Sequence, residues 1–207
     1  PCGRIGRSRS NGGVILMAFS EEIKKELWRK TLHMGAIVFL PIAAISKGML
    51  VLIIVILGIL YLFHESYVHE GNSIPYLTPA VQKAKRLREH KIAHAPFLMA
   101  AGILITVFIF PMQPAAAGLL QLSFADMAAA LVGMSWGKRK LPHSPFKSWE
   151  GSGAFFVMAF ALTFMIYPFW TSLLLALVGA AIESLPYKDW DNLFIPVGVA
   201  AIASFFS

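Results

Sequence analysis

The chain has 207 residues, 57% of them hydrophobic and 14% charged, with a mean hydropathy of +0.66. So little charge against so much apolar surface excludes an ordinary soluble domain and implies an integral membrane protein. The formal charge is +7, but Arg4, Arg7 and Arg9 supply three of the 18 basic residues; residues 17 to 207 carry only +4, which is no nucleic-acid signature.

Residues 1 to 16 are basic, Gly/Ser-rich and without periodicity, and are expected to be an expression scar or disordered leader ahead of Met17. They contain Cys2, the one cysteine, so a cysteine zinc site or nucleophile is not expected in 17 to 207, which reads as one domain. A bilayer span needs about 20 apolar residues. Apolar runs near 31–46, 48–64, 94–111, 114–134, 153–168, 169–186 and 191–206 predict seven spans, with breaks at Lys47-Gly48, at Pro111 to Pro114 and at Pro168. The segment 78–93 alternates charged and apolar residues at helical spacing and reads as an interfacial amphipathic helix.

With seven spans the basic residues sort almost wholly to one side. Lys24, Lys25, Arg29 and Lys30, then Lys83 through Lys91, then Lys138 through Lys147, then Lys188 all share it, with only Lys47 opposite. By the positive-inside rule that side is the cytoplasm, which places the N-terminus there.

Several polar groups lie where an apolar span would not need them. Asp126 stands alone in the fourth run, and a carboxylate at membrane depth costs roughly 2.5 to 3.5 kcal/mol on insertion scales, so it is expected to face a partner, a cavity or a substrate path. From Asp126 a stripe of small residues, Ala129, Ala130, Gly133 and Gly137, runs toward the cytoplasmic loop; Gly133 is about 10 Å along the axis. The stripe suits either close helix packing or a cleft where backbone approaches a polyphosphate and the carboxylate holds a hard divalent cation. On the first helix Arg29, Lys30 and His33 share a face, as an anion grip or as a membrane anchor. Lys138, Arg139, Lys140 and His143 then lead to Lys147, Ser148, Glu150, Gly151 and Ser152, the cations, hydroxyls and flexible glycine that phosphoryl transfer uses. Glu183 lies inside the sixth run, and Asp189, Asp191 and Asn192 precede the seventh; Asp191 could simply cap a helix. All of these fall at the cytoplasmic end, as a membrane-embedded active site open to cytosolic substrates requires. There is no complete Walker A string, no Rossmann fingerprint and no His-Glu-x-x-His motif.

The ordered set Arg29-Lys30-x-x-His33, Arg88-Glu89, Asp126-x-x-Ala129-x-x-x-Gly133-x-x-x-Gly137-Lys138, Lys147-Ser148-x-Glu150-Gly151-Ser152, Glu183 and Asp191-Asn192-Leu193-x-Ile195-Pro196 resembles the polyprenol kinase family. That family includes dolichol kinase, phytol kinase and CTP-dependent diacylglycerol kinase, with a distant likeness to CTP:phosphatidate cytidylyltransferases. Ala125 and Met134 depart from its usual Gly and Arg. The resemblance implies a CTP-dependent lipid kinase that phosphorylates the hydroxyl of a membrane lipid alcohol, foremost a polyprenol or dolichol, with phytol or diacylglycerol as alternatives. It implies Mg²⁺ or another divalent cation on Asp126 with Glu183 or Asp191. It also implies Lys147 among the catalytic residues, with Arg29 and Lys30 beside it on the triphosphate. Gly133, Lys138, Ser148, Gly151, Ser152 and Asn192 would contact the nucleotide, and Glu150 or His33 would orient the lipid hydroxyl. The rival readings are a cytidylyltransferase making a CDP-lipid and a small ion- or proton-coupled transporter built on Asp126 and Glu183.

Overall fold

Prolines and single hydroxyl residues set where the helices of this chain begin and end. The computed structural model describes residues 24–84, 94–187 and 189–207. The leader, Arg88-Glu89 with the rest of 85–93, and Lys188 lie outside the described residues.

Helix α1 (24–34) continues through a 3-10 turn at Gly35–Val38 into α2 (Phe39–Ile45). Pro41 accounts for the tightening, because it has no N–H for the carbonyl of Ile37 and its ring crowds that carbonyl. Ser46 then turns extended and caps α3 (Lys47–His69), its hydroxyl accepting from the Met49 N–H at 3.2 Å. The break thus falls one residue ahead of Lys47-Gly48, and α3 runs five residues past its expected end. Helix α4 (Leu77–Ala84) is the described part of the segment expected over 78–93.

Helix α5 (Ala95–Ile109) stops where Phe110 becomes extended before Pro111, as a residue preceding proline tends to do. Met112–Trp136 is one long helix in three parts: α6 (Met112–Leu120), a π-helical turn at Gln121–Ala125, and α7 (Asp126–Trp136). A short antiparallel hairpin follows, β1 (Lys140–Leu141) with β2 (Ser144–Ser148). The hairpin lies within the segment read as a loop, and the fold is otherwise all-α. Ser148 caps α8 (Trp149–Phe164), which starts four residues earlier than the apolar run because the cap fixes its start. Pro168 opens α9 (Phe169–Ser184), and α10 (Asp191–Ala203) closes in a 3-10 turn at Ser204–Phe206.

Each of the seven apolar segments is therefore helical. Among the described residues Lys47–His69 and Met112–Trp136 are long and apolar enough to cross a membrane; four other apolar helices are shorter. Helices α6 to α10 pack around Leu122, Phe155, Leu175, Ile195 and Val199, all fully buried. A second cluster, Ala36, Leu50, Ile103, Val107 and Leu119, joins α2 and α3 to that bundle. Two glycines set the seat of α10. A Cβ at Gly118 would collide with the Pro196 carbonyl, and one at Gly102 would collide with the Asn192 carbonyl. Pro196 cannot donate to that Asn192 carbonyl, so α5 comes close to the loosened first turn of α10.

Candidate active site

Five elements, α1, α7, the hairpin, α9 and α10, contribute charged side chains that pair across the bundle. From α1, Lys30 is only 4% exposed, and its ammonium pairs with the Asp126 carboxylate on α7. A membrane anchor would keep its charge in water; Lys30 does not. Arg29 beside it donates from Nη1 to Asp189 Oδ1 at 2.9 Å and also pairs with Glu26, while its Nε is buried without a hydrogen-bond partner. Burial opposes the Arg29 charge, but Glu26 first and then Asp189 outweigh it, so the guanidinium is held above its ordinary pKa. His33, one turn on, is buried with Nδ1 unpartnered and lies within the fields of Lys30, Asp126 and Asp191.

The hairpin delivers Lys147. Its Nζ donates to Glu183 Oε1 on α9 at 2.7 Å and to Asp191 Oδ2 on α10 at 3.4 Å. Ser152 on α8 donates to the other Glu183 oxygen at 2.9 Å. Burial works against the Lys147 charge, and Glu183, Asp191 and Asp126 together more than offset it, holding the ammonium above the ordinary lysine pKa. Asp126 and Lys147 feel each other's charge, so the Lys30 pair and the Lys147 cluster form one field. Asn192, on the first turn of α10, is wholly buried, and neither amide atom of its side chain has a partner. A buried primary amide left so is costly unless something else meets it.

Several expected site residues have a structural occupation. A Cβ on Gly151 would stand 2.9 Å from the Ala129 carbonyl oxygen and 3.2 Å from Gly133 Cα, and one on Gly137 would stand 2.6 Å from Ser148 Oγ. The small-residue stripe is thus where α7 and α8 touch backbone to backbone. Ser148 Oγ accepts from the Gly151 N–H at 3.1 Å as the cap of α8. Glu150 accepts from the Arg139 N–H at 3.2 and 3.3 Å, which latches the hairpin, and is not brought into the ion network. Its own backbone N–H and that of Arg139 hold its carboxyl below the usual range. Lys138 stays exposed at the end of α7.

Asp189, read from the sequence as one of the polar residues ahead of the last helix, joins the site through Arg29. It takes the left-handed conformation, φ 66°, which Asp tolerates better than most residues, and ties Arg29 to the α9–α10 loop. Gln121, a lone buried amide in an apolar run five residues before Asp126, was not singled out by sequence.

Among the described residues no three His, Cys, Asp or Glu side chains stand together as a metal group; the lysines sit between the acids. The donor chemistry nonetheless suits a hard divalent cation. Asp126, Glu183, Asp191 and the orphaned Asn192 Oδ1 offer oxygen. Two lysines against three carboxylates also leave one negative charge in excess.

The described residues thus form a helical bundle in which buried lysines are paired with acids from other helices. The chain is similar to the phytol kinase of Synechocystis sp., 31% identical over 63% of this chain and 61% of that protein. It is also similar to chloroplastic phytol kinase 1 of Arabidopsis thaliana, 25% identical over 57% of this chain and 46% of that one. An uncharacterized protein of Rickettsia prowazekii is 27% identical over 90% of this chain and 97% of its own length. Two of these relatives carry the name phytol kinase, and the chain spans about half to three fifths of their length. No family model and no solved structure matches it.

Proposed function

We propose that the chain is a lipid kinase that moves the γ-phosphoryl group of CTP to the hydroxyl of an isoprenoid alcohol. The observation that carries this reading is the ion network in which Lys30, Asp126, Lys147, Glu183 and Asp191 converge from five elements. The relatives named phytol kinase move the preferred acceptor from a long polyprenol or dolichol to an alcohol of phytol type.

The reaction needs little covalent work from the protein. The alcohol oxygen bonds the γ-phosphorus, the bond to the bridging oxygen breaks, CDP leaves, and the hydroxyl proton passes to a base or to water. Such a transfer is mostly positioning and electrostatics. Asp126, with Glu183 or Asp191, would hold Mg²⁺ through oxygen, and the ion would neutralise phosphate charge. Lys147 is best placed to meet the triphosphate, because it is partly exposed and already spans two elements. Lys30 and Arg29 add positive field, while Ser152 and Asn192 supply a hydroxyl and an unpaired amide. His33, buried beside Asp126, is the group for orienting the lipid hydroxyl. Gly133, Ser148 and Gly151 act through the α7–α8 contact that shapes the cleft.

The reading includes a multi-pass arrangement with seven spans and a cytoplasmic N-terminus. The exposed apolar surface of α3, with Leu52, Val55, Ile59 and Phe63 all outward, supports lipid around it. The test is to incubate purified protein in detergent with Mg²⁺, CTP or ATP, and phytol, a polyprenol or diacylglycerol, and to look for the lipid monophosphate. Phytyl phosphate formed with CTP is the expected product. No lipid phosphate with any pair, from protein shown to be folded, would overturn the reading.

A further inference from the structure

The helix that carries Asp126 is not uniform. In the π-helical turn Gln121–Ala125 the Asp126 N–H reaches the carbonyl of Gln121, five residues back. A π turn adds one residue to the helix, which swings all that follows by about 100° relative to an unbroken α-helix. Asp126 is the first residue beyond it.

The same Gln121 is fastened to the neighbouring helix. It is fully buried, and its Nε2 donates to the Leu175 carbonyl on α9 at 3.2 Å. Its Oε1 has no hydrogen-bond partner and occupies the space beside Gly179, where any Cβ would overlap it. Leu175, Gly179 and Glu183 follow at intervals of four and so share one face of α9. The residue that opens the π turn therefore rests on α9 one and two turns from Glu183. An apolar side chain of similar size would fill this space without leaving an oxygen unpaired. What the amide adds is a fixed relation between two helices.

We propose that Gln121 and its π turn are a positioning device that sets where Asp126 stands relative to Glu183. Gln121 touches no reacting group; it acts through Asp126. The inference rests on the reading of Asp126 and Glu183 as members of one phosphoryl-transfer site. It adds that their spacing is imposed by a contact inside the bundle, away from the ion network itself.

The test uses spin labels on the exposed positions Ser135 of α7 and Ala181 of α9, each changed to Cys in full-length chain with Cys2 replaced by serine. Pulsed dipolar spectroscopy then gives the distance between the helices. Gln121→Met keeps the volume and removes the bond to Leu175, and Gly179→Ala puts a methyl where the amide oxygen lies. Both are expected to shift or broaden the distance distribution. In the unlabelled background both are expected to lower kcat by about tenfold to a hundredfold while the KM for the alcohol stays within a few fold. Gly58→Ala on α3, where a Cβ meets nothing within 4 Å, should change neither reading. An unaltered distribution in both variants would overturn the proposal. If Gly179→Ala does not fold, the volume-neutral Gln121→Met decides. If the parent protein transfers no phosphoryl group, the lipid-kinase reading falls, while the distances still judge the positioning claim.

Discussion

Lys30 and Lys147 both hold buried carboxylates, yet they stand in different surroundings. The side chains of Lys30 and Asp126 are 5% and 2% exposed, a nearly dry pair. Lys147 is 23% exposed and shares two acids, Glu183 and Asp191, so water and a ligand can reach it. Lys30 also arrives on α1, and its pairing docks that helix against α7, whereas Lys147 comes on a hairpin already tied down by its own ladder and by Glu150. One kind of charge pair thus serves as a clamp in one place and as an exchangeable seat in the other. The difference follows from burial, because a partner lost in a dry site leaves a charge that nothing replaces.

This contrast can be broken at either end. Asp126→Asn is expected to have the largest effect on activity. It should cut lipid phosphorylation by at least about a hundredfold while the helical signal is kept, and wild-type-like turnover would take the metal role from Asp126. Lys30→Met should be the most destabilising change, by about 3 to 5 kcal/mol, because it strands the Asp126 carboxylate. The double variant with Asp126→Asn should recover part of that loss, as a denaturation series on the four proteins would show. Lys147→Ala should weaken nucleotide binding by about tenfold or more with a smaller loss of stability than Lys30→Met. A nucleotide titration that leaves affinity unchanged would return it to a structural role. Gly151→Ala should cost about 1 to 3 kcal/mol by forcing α7 and α8 apart, read as a lower melting temperature.

The smallest effect is expected at Glu150. Glu150→Gln should change turnover only a few fold, since the carboxylate closes the hairpin and lies outside the ion network. Its folded pKa is depressed, so its contribution is complete above the ordinary carboxylate value of about 4.3 and is lost as pH falls through the lower folded value. Hairpin melting followed from neutral pH into acid should therefore separate wild type from Glu150→Gln at neutral pH and merge them in strong acid.

Helix placement was largely legible in the sequence, because length of apolar run and proline position decide it locally. Pro111, Pro168 and the Ser46 and Ser148 caps act on their own neighbours, and α2, α3, α5, α6, α8 and α9 each start or stop beside one of them. The polar residues of the site were legible as a set, since Asp126, Lys147, Glu183 and Asp191 are conspicuous in apolar surroundings. Their pairing was not. Lys30 with Asp126 and Lys147 with Glu183 join residues 96 and 36 positions apart, and only the packing of the bundle chooses among the many basic partners. The division of Gly133 and Gly151 between packing and binding was likewise open, because a glycine shows only that something comes close. The π turn at Gln121 leaves no mark in hydrophobic periodicity, as one added residue in an apolar run shifts the register without changing composition.

The most direct measurement gives the purified protein phytol and Mg²⁺ with CTP labelled at either the γ or the α phosphorus, beside Asp126→Asn as control. The account predicts that γ label enters the lipid, α label stays in soluble CDP, and the variant transfers neither. Entry of α label into lipid would contradict it and identify a nucleotidyl transfer instead.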